Sequence, residues 1–228
     1  VNLVADGAAE DTTVSGRVRA LQREVDAICA EYDRPAGSVR ILGATKGQPR
    51  ERVLEAIAAG LTDIGENYVQ EAETKYAELP PVTRHYIGHV QTNKAKAIVA
   101  GFDVVQSIDR PAAGEAIARV AASAGRSLRV LIQVNVSARE RYGIAPEDAP
   151  LFAERLRARG LLVDGLMTIG PVTDDREEIC KAFALAARTF AIVRGSTLSM
   201  GMSGDWREAI AAGATMIRLG TAIFGARI

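Results

Sequence analysis

Apolar residues recur at spacings of three and four over Val14, Val18, Leu21, Val25, Ile28 and Tyr32, which predicts an amphipathic first helix. The period then changes. Val39, Ile41, Leu42 and Ala44 form a short apolar strand that runs into Thr45 and Lys46. A helix follows from about Arg50, with Val53, Leu54, Ile57 and Leu61 on one face and Gly60 as its stop signal. The alternation continues with strands at 63–65, 84–90 and 103–107 and helices at 69–79 and 95–100. Asp109-Arg110-Pro111 opens the next helix, with Asp109 as its cap. Strand 129–136 is rich in β-branched residues. Helix 147–159, strand 162–168, helix 174–193, strand 197–200, helix 205–211 and strand 215–219 follow, then a short apolar tail.

Eight strands separated by helices imply a parallel sheet, and their compact spacing predicts an α/β fold, a (β/α)8 TIM barrel with an additional N-terminal helix. An open doubly wound sheet is the runner-up. The absence of GxGxxG after the first strand argues against its dinucleotide-binding version. Residues 1–13 are expected to be a loosely ordered N-terminus, and 14–228 a single barrel domain.

Composition narrows the function classes. Of 228 residues, 48% are hydrophobic and 25% charged, which fits a globular rather than a disordered chain. Lys plus Arg and Asp plus Glu number 28 each, so no basic excess points to nucleic acid. The longest run free of Asp, Glu, Lys and Arg is Gly195 to Gly204, too short for a spanning helix of about 20 residues. The start, VNLVADGAAEDTT, does not read as a signal peptide, so a cytoplasmic location is the default expectation. Cys29 and Cys180 lie in helical patterns and are expected to be buried. With no CxxC and two histidines, no metal site is expected.

Chemistry in such barrels sits where strands end. Those positions hold Lys46, Glu66-Asn67, His89, Asn135, Met167, the run Ser199–Gly204 and Arg218-Leu219-Gly220-Thr221. Ser203-Gly204 and Gly220-Thr221 put glycine and a hydroxyl at strand-to-helix turns. That arrangement suits a phosphate, although tight turns alone would also explain it. The chain has only five lysines among its 28 basic residues, so a lysine retained at the end of the first strand needs a reason. An amine can form a Schiff base and a guanidinium cannot. A reactive lysine facing a phosphate cradle describes a site for pyridoxal phosphate.

The segments LGATKGQP, IGENYVQE, HYIGHVQTNK, SID, LIQVNVS, GLMTIG and LSMGMSGDWREAIAAGATMIRLGTAIFGAR together resemble the pyridoxal phosphate homeostasis proteins. These are single-domain barrels similar to the N-terminal domain of alanine racemase. The resemblance implies that Lys46 forms the internal aldimine with pyridoxal 5'-phosphate. It implies that Ser203, Gly204, Gly220 and Thr221 hold the phosphate, that Arg218 lies near the pyridine nitrogen and that Asn67 lies near the ring. It further implies a cytoplasmic monomer acting in intracellular vitamin B6 homeostasis without robust catalysis, with no catalytic residues to assign and pyridoxal-phosphate-dependent apoenzymes as acceptors. An amino-acid racemase or lyase using the same lysine is the alternative, and a sugar-phosphate barrel enzyme without pyridoxal is a third reading. A racemase needs a second opposed base. In alanine racemase that base is a tyrosine of a separate C-terminal domain, and this chain ends at Ile228. Two positions depart from the family pattern: His89 replaces a usual proline, and the segment after Asn135 carries Arg141 where a lysine is usual.

Overall fold

In the computed structural model, residues 12–137 and 142–226 are described. Residues 1–11 of the expected loose N-terminus, and Arg141, lie outside them. The chain begins its regular structure with α1 (Val14–Glu31), capped by Thr13, whose hydroxyl oxygen accepts the Gly16 N–H over 2.9 Å. Then β1 (Arg40–Ala44), α2 (Arg50–Ala58), β2 (Asp63–Glu66), α3 (Val69–Lys75) and β3 (Thr83–Tyr86) alternate. A 3-10 turn at Thr92–Lys94 leads into α4 (Ala95–Gly101), followed by β4 (Val104–Ile108), α5 (Pro111–Ser123) and β5 (Arg129–Val134). The last half comprises α6 (Ala149–Ala158), β6 (Leu162–Thr168), α7 (Arg176–Val193), β7 (Thr197–Ser199), α8 (Trp206–Ala211), β8 (Met216–Leu219) and α9 (Thr221–Phe224). The eight strands close into a barrel in chain order, every pair parallel, with β8 returning to β1. The main core lies between barrel and helices, and α1 packs outside it against α2, α8 and α9.

Three details differ from the sequence pattern. β3 stops at Tyr86 and β5 at Val134, so His89 and Asn135 sit in loops beyond the strands. Asp109 does not cap α5: Arg110 holds the cap position, and the Asp109 carboxylate turns to Arg110 and His89 instead. Cys29 is buried as expected, but Cys180 is exposed, because α7 turns that position to solvent.

The barrel interior is polar as well as apolar. Val104, Leu131 and Met167 form a small cluster separate from the main core. Near the N-terminal ends of β1 and β2, Asp63 accepts from Arg40 Nη1 at 2.9 Å, from the Thr62 hydroxyl at 2.8 Å and from His85 Nε2 at 2.9 Å. Burial pushes the Asp63 carboxyl up, but the His85 hydrogen bond, the charges of His85 and Arg40 and the Thr62 bond outweigh it, leaving it below the usual range. Burial lowers His85, which the Asp63 bond offsets only in part and the Arg40 and Arg129 charges reinforce.

Both shifts have the same sign for stability. A depressed native pKa means that the unfolded chain takes up the proton first. The His85 contribution is therefore complete above its unfolded value of about 6.5 and falls below it, with the Asp63 contribution following below about 4. Urea midpoints should thus decline from pH 7 to pH 5, and His85→Gln should flatten that part of the curve.

Candidate functional site

Lys46 lies two residues past β1, half-buried at the mouth of the barrel. Its Nζ donates to the Tyr68 hydroxyl over 3.2 Å and stands 4.7 Å from the centre of the same ring. The backbone on both sides of Lys46 is held from beneath. Lys75 Nζ donates to Thr45 O at 2.6 Å, to Glu66 Oε2 at 2.7 Å and to Glu71 Oε2 at 3.2 Å, which uses all three protons of the ammonium group. Glu71 Oε2 also accepts the Gly47 N–H over 3.0 Å, a bond that holds its carboxyl below the usual range despite partial burial.

Glu66 is fully buried and has every acceptor position occupied. Oε1 takes the N–H groups of Asn67 at 2.7 Å and Tyr68 at 3.3 Å, and Oε2 takes Lys75 and, at 3.0 Å, the Thr45 hydroxyl. Tyr76 Oη lies 2.8 Å from Thr45 Oγ1 and donates to it when the threonine proton goes to Glu66. One carboxylate therefore fixes the chain before Lys46 and also the loop carrying Asn67 and Tyr68. Asn67 is pressed close to the loop after β3, where a Cβ on Gly88 would fall 2.1 Å from Asn67 O, so that position has room only for glycine.

The other predicted residues gather on the neighbouring strands. Ser203 and Gly204 occupy an exposed turn between β7 and α8, closed by Asp205 Oδ1 accepting the Met202 N–H at 2.6 Å. Gly220 caps α9 and Thr221 begins it. The N–H groups of Ser203, Gly204, Thr221 and Ala222 find no acceptor among the described residues. β8 pairs with β1 through Leu42 and Arg218, and a Cβ on Gly220 would lie 3.6 Å from Ala44 O, so this cradle adjoins the Lys46 loop. Arg218 is buried, with Nη1 donating to Ser199 O and Oγ at 2.8 Å each and Nη2 to Thr168 O at 2.7 Å. Burial lowers it to about 10, with the Asp205 charge opposing, so it is a cation at neutral pH.

The β3–β5 side of the mouth is organised differently. His89 Nδ1 faces Asp109 Oδ2 at 3.1 Å, His89 Nε2 accepts from Arg110 Nη1 at 3.1 Å, and the ring lies 4.4 Å from that of Tyr142. These side chains line a cleft of about 490 Å³. Nε2 is thus engaged by Arg110, whereas Nδ1 is buried and makes no hydrogen bond among the described residues despite its closeness to Asp109. Sequence reasoning placed Glu66 at a strand end without a role and assigned none to Tyr68 or Lys75. Their signal was present, because Glu66 and Tyr68 flank Asn67 and Lys75 is one of the few lysines in an arginine-rich chain.

Removing one member of a buried ion pair strands the other. Lys75→Met should cost roughly 3–5 kcal/mol in urea unfolding. Lys75→Arg should also destabilise, because a planar guanidinium cannot reproduce three tetrahedral donors. A Lys75→Met, Glu66→Leu double variant should be more stable than Lys75→Met alone.

Residues 20–228 match the family model described as alanine racemase, N-terminal domain. The chain is 39% identical over 222 residues to the pyridoxal phosphate homeostasis protein of Pseudomonas aeruginosa, covering 95% of this chain and 96% of the relative. It is also 39% identical over 196 residues to that of Deinococcus radiodurans, covering 86% and 93%. Among solved structures, PipY of Synechococcus elongatus with pyridoxal phosphate bound superposes with a TM-score of 0.81 at 35% identity, covering 93% of this chain and all of that one. Closed barrel and similarity along nearly the whole chain agree: the chain belongs to the pyridoxal phosphate homeostasis protein family, within the alanine racemase N-terminal domain group.

Proposed function

We propose that this chain binds pyridoxal 5'-phosphate and serves intracellular vitamin B6 homeostasis. The observation that carries the reading is that the Lys46 loop adjoins the end of β8, and that four N–H groups at the ends of β7 and β8 have no acceptor among the described residues. Those amides offer a dianionic phosphate the donors it needs without any counter-charge from a lysine. Ser203, Gly204, Gly220 and Thr221 would hold the phosphate, Lys46 would carry the cofactor as a Schiff base, and Arg218 would face the pyridine nitrogen, with Asn67 nearer the ring. When bound, the cofactor supplies an electrophilic aldehyde and an electron-withdrawing ring. A permanent cation beside the ring nitrogen disfavours its protonation and weakens that withdrawal.

The reading is of a carrier or buffer rather than an enzyme. Racemisation needs acid–base groups on two faces. Tyr68 stands on the Lys46 side, and His89 Nε2 is taken by Arg110 on the β3–β5 side. The chain would act as a cytoplasmic monomer whose barrel is closed by its own strands, handing cofactor to apoenzymes at the mouth. Tyr68, Tyr142, Ile169, Val172 and Met202 are large apolar side chains exposed in the mouth loops, a rim suited to such an encounter.

The test is an absorption spectrum with pyridoxal phosphate before and after borohydride reduction, followed by peptide mapping. The expected outcome is a visible band and a single reduced adduct on Lys46, absent in Lys46→Ala, with Lys75 unmodified because its ammonium is buried. An adduct spread over Lys94, Lys96 and Lys181 would overturn the assignment. Turnover of alanine, serine or threonine enantiomers that vanishes in Lys46→Ala would favour the racemase or lyase alternative.

A further inference from the structure

A row of polar side chains crosses the barrel interior and ends on Arg218. It starts at the ionised Asp63, which accepts the proton on His85 Nε2 over 2.9 Å. A neutral imidazole with that proton leaves Nδ1 bare, and Gln106 Nε2 donates to it over 2.9 Å. The amide is thereby turned so that Gln106 Oε1 accepts the Ser199 hydroxyl proton at 2.8 Å. With its proton spent, Ser199 Oγ is an acceptor for Arg218 Nη1 at 2.8 Å. β4 and β7 are not neighbours in the barrel, so the Gln106–Ser199 bond spans its interior. His85, Gln106 and Ser199 are each at most 1% exposed and Arg218 6%, so solvent cannot rescue a mismatched partner.

The polarity of the row has one consistent setting. With the proton on His85 Nδ1 instead, a lone pair on Nε2 would face the Asp63 carboxylate. Gln106 would then invert and aim its NH2 at Ser199. Ser199 Oγ would receive protons from both Gln106 and Arg218, and its own proton would lose its acceptor in the row.

We infer that Gln106 is a positioning residue: it passes the fixed polarity of the Asp63–His85 pair to the Ser199 hydroxyl and so adds a set acceptor to the two carbonyls that hold the Arg218 guanidinium at the barrel mouth. The functional consequence rests on the proposed placing of Arg218 beside the cofactor ring. The hydrogen-bond row itself does not.

Nitrogen-15 NMR of the cofactor-free protein tests it. The chain has two histidines, so His89→Gln assigns the imidazole signals, and Arg218→Lys assigns the guanidinium. Expected are a neutral His85 protonated on Nε2 at pH 7 and resolved Arg218 Nη resonances, as a held guanidinium gives. Gln106→Leu should shift and broaden the Arg218 Nη1 resonance, because the Ser199 hydroxyl loses its fixed polarity while the bonds to Ser199 O and Thr168 O remain. Ser199→Ala should do the same, which keeps the test open where Gln106→Leu fails to fold. The double variant should be no worse than either single one, as a shared path requires. In the pyridoxal phosphate complex, both variants should bind the cofactor about tenfold more weakly, with an altered absorption band and the adduct still on Lys46. Arg218 signals unchanged from the wild type in both variants, or a His85 proton on Nδ1, would overturn the inference. Failure of the wild type to form a Lys46 adduct would sink the proposed function instead, while the cofactor-free spectra would still decide the role of Gln106.

Discussion

The Glu66 carboxylate, wholly buried at the end of β2, is the point from which the site is built. Taking a carboxylate and an ammonium out of water costs several kcal/mol each. That cost is offset here by saturation, because the four acceptor positions of Glu66 and the three donors of Lys75 are all used. A fully satisfied network in a low-dielectric setting is stiff. Its stiffness is spent on two short stretches, Thr45–Gly47 and Asn67–Tyr68, which together present the Lys46 amine against the Tyr68 phenol. An apolar strand end could place a lysine Cα equally well, but it would leave the flanking loops free.

The same economy governs the inside of the barrel. Barrels of this kind are usually filled by branched aliphatic layers. Here Val104, Leu131 and Met167 fill one sector, and Asp63, His85, Gln106, Ser199 and Arg218 fill another. A buried arginine without partners would be prohibitive. With carbonyls of Ser199 and Thr168 and a hydroxyl around it, Arg218 keeps its charge next to the mouth. Polar interior positions thus hold a cation beside the mouth.

Much of the architecture was legible because it depends on period. Strands such as Val130–Val134 and helices such as α1 announce themselves through apolar spacing, and closure in chain order follows from alternation. Boundaries were less legible. β3 ends at Tyr86 although apolar residues continue to Val90, because Gly88 is drawn against Asn67 and no longer follows the neighbouring strand. Site residues at strand ends could be named one by one, since each sits at a loop of the same rim. Their supports could not. Lys75 reads as an ordinary helical lysine, and Asp109 as an ordinary cap, until the fold brings Thr45 and Glu66 to the one and His89 to the other. Exposure of Cys180 escaped for a related reason: its residue type suggests burial, but its helix phase decides.

The two sides of the mouth point to different capacities. On the β3–β5 side, Arg110 donates to His89 Nε2 and to Asp109, while His89 Nδ1 stays buried 3.1 Å from Asp109 Oδ2 without a hydrogen bond among the described residues. On the β1, β7 and β8 side, the amine of Lys46 has a single phenolic partner and the loop amides have none among the described residues. Proton-transfer catalysis needs groups that can change partners on both faces of a bound molecule. Reversible capture of an aldehyde needs one available amine, and phosphate retention needs open N–H donors. The Lys46 amine and the open amides of the β7 and β8 loops stand on one side of the rim and meet the second set of demands together.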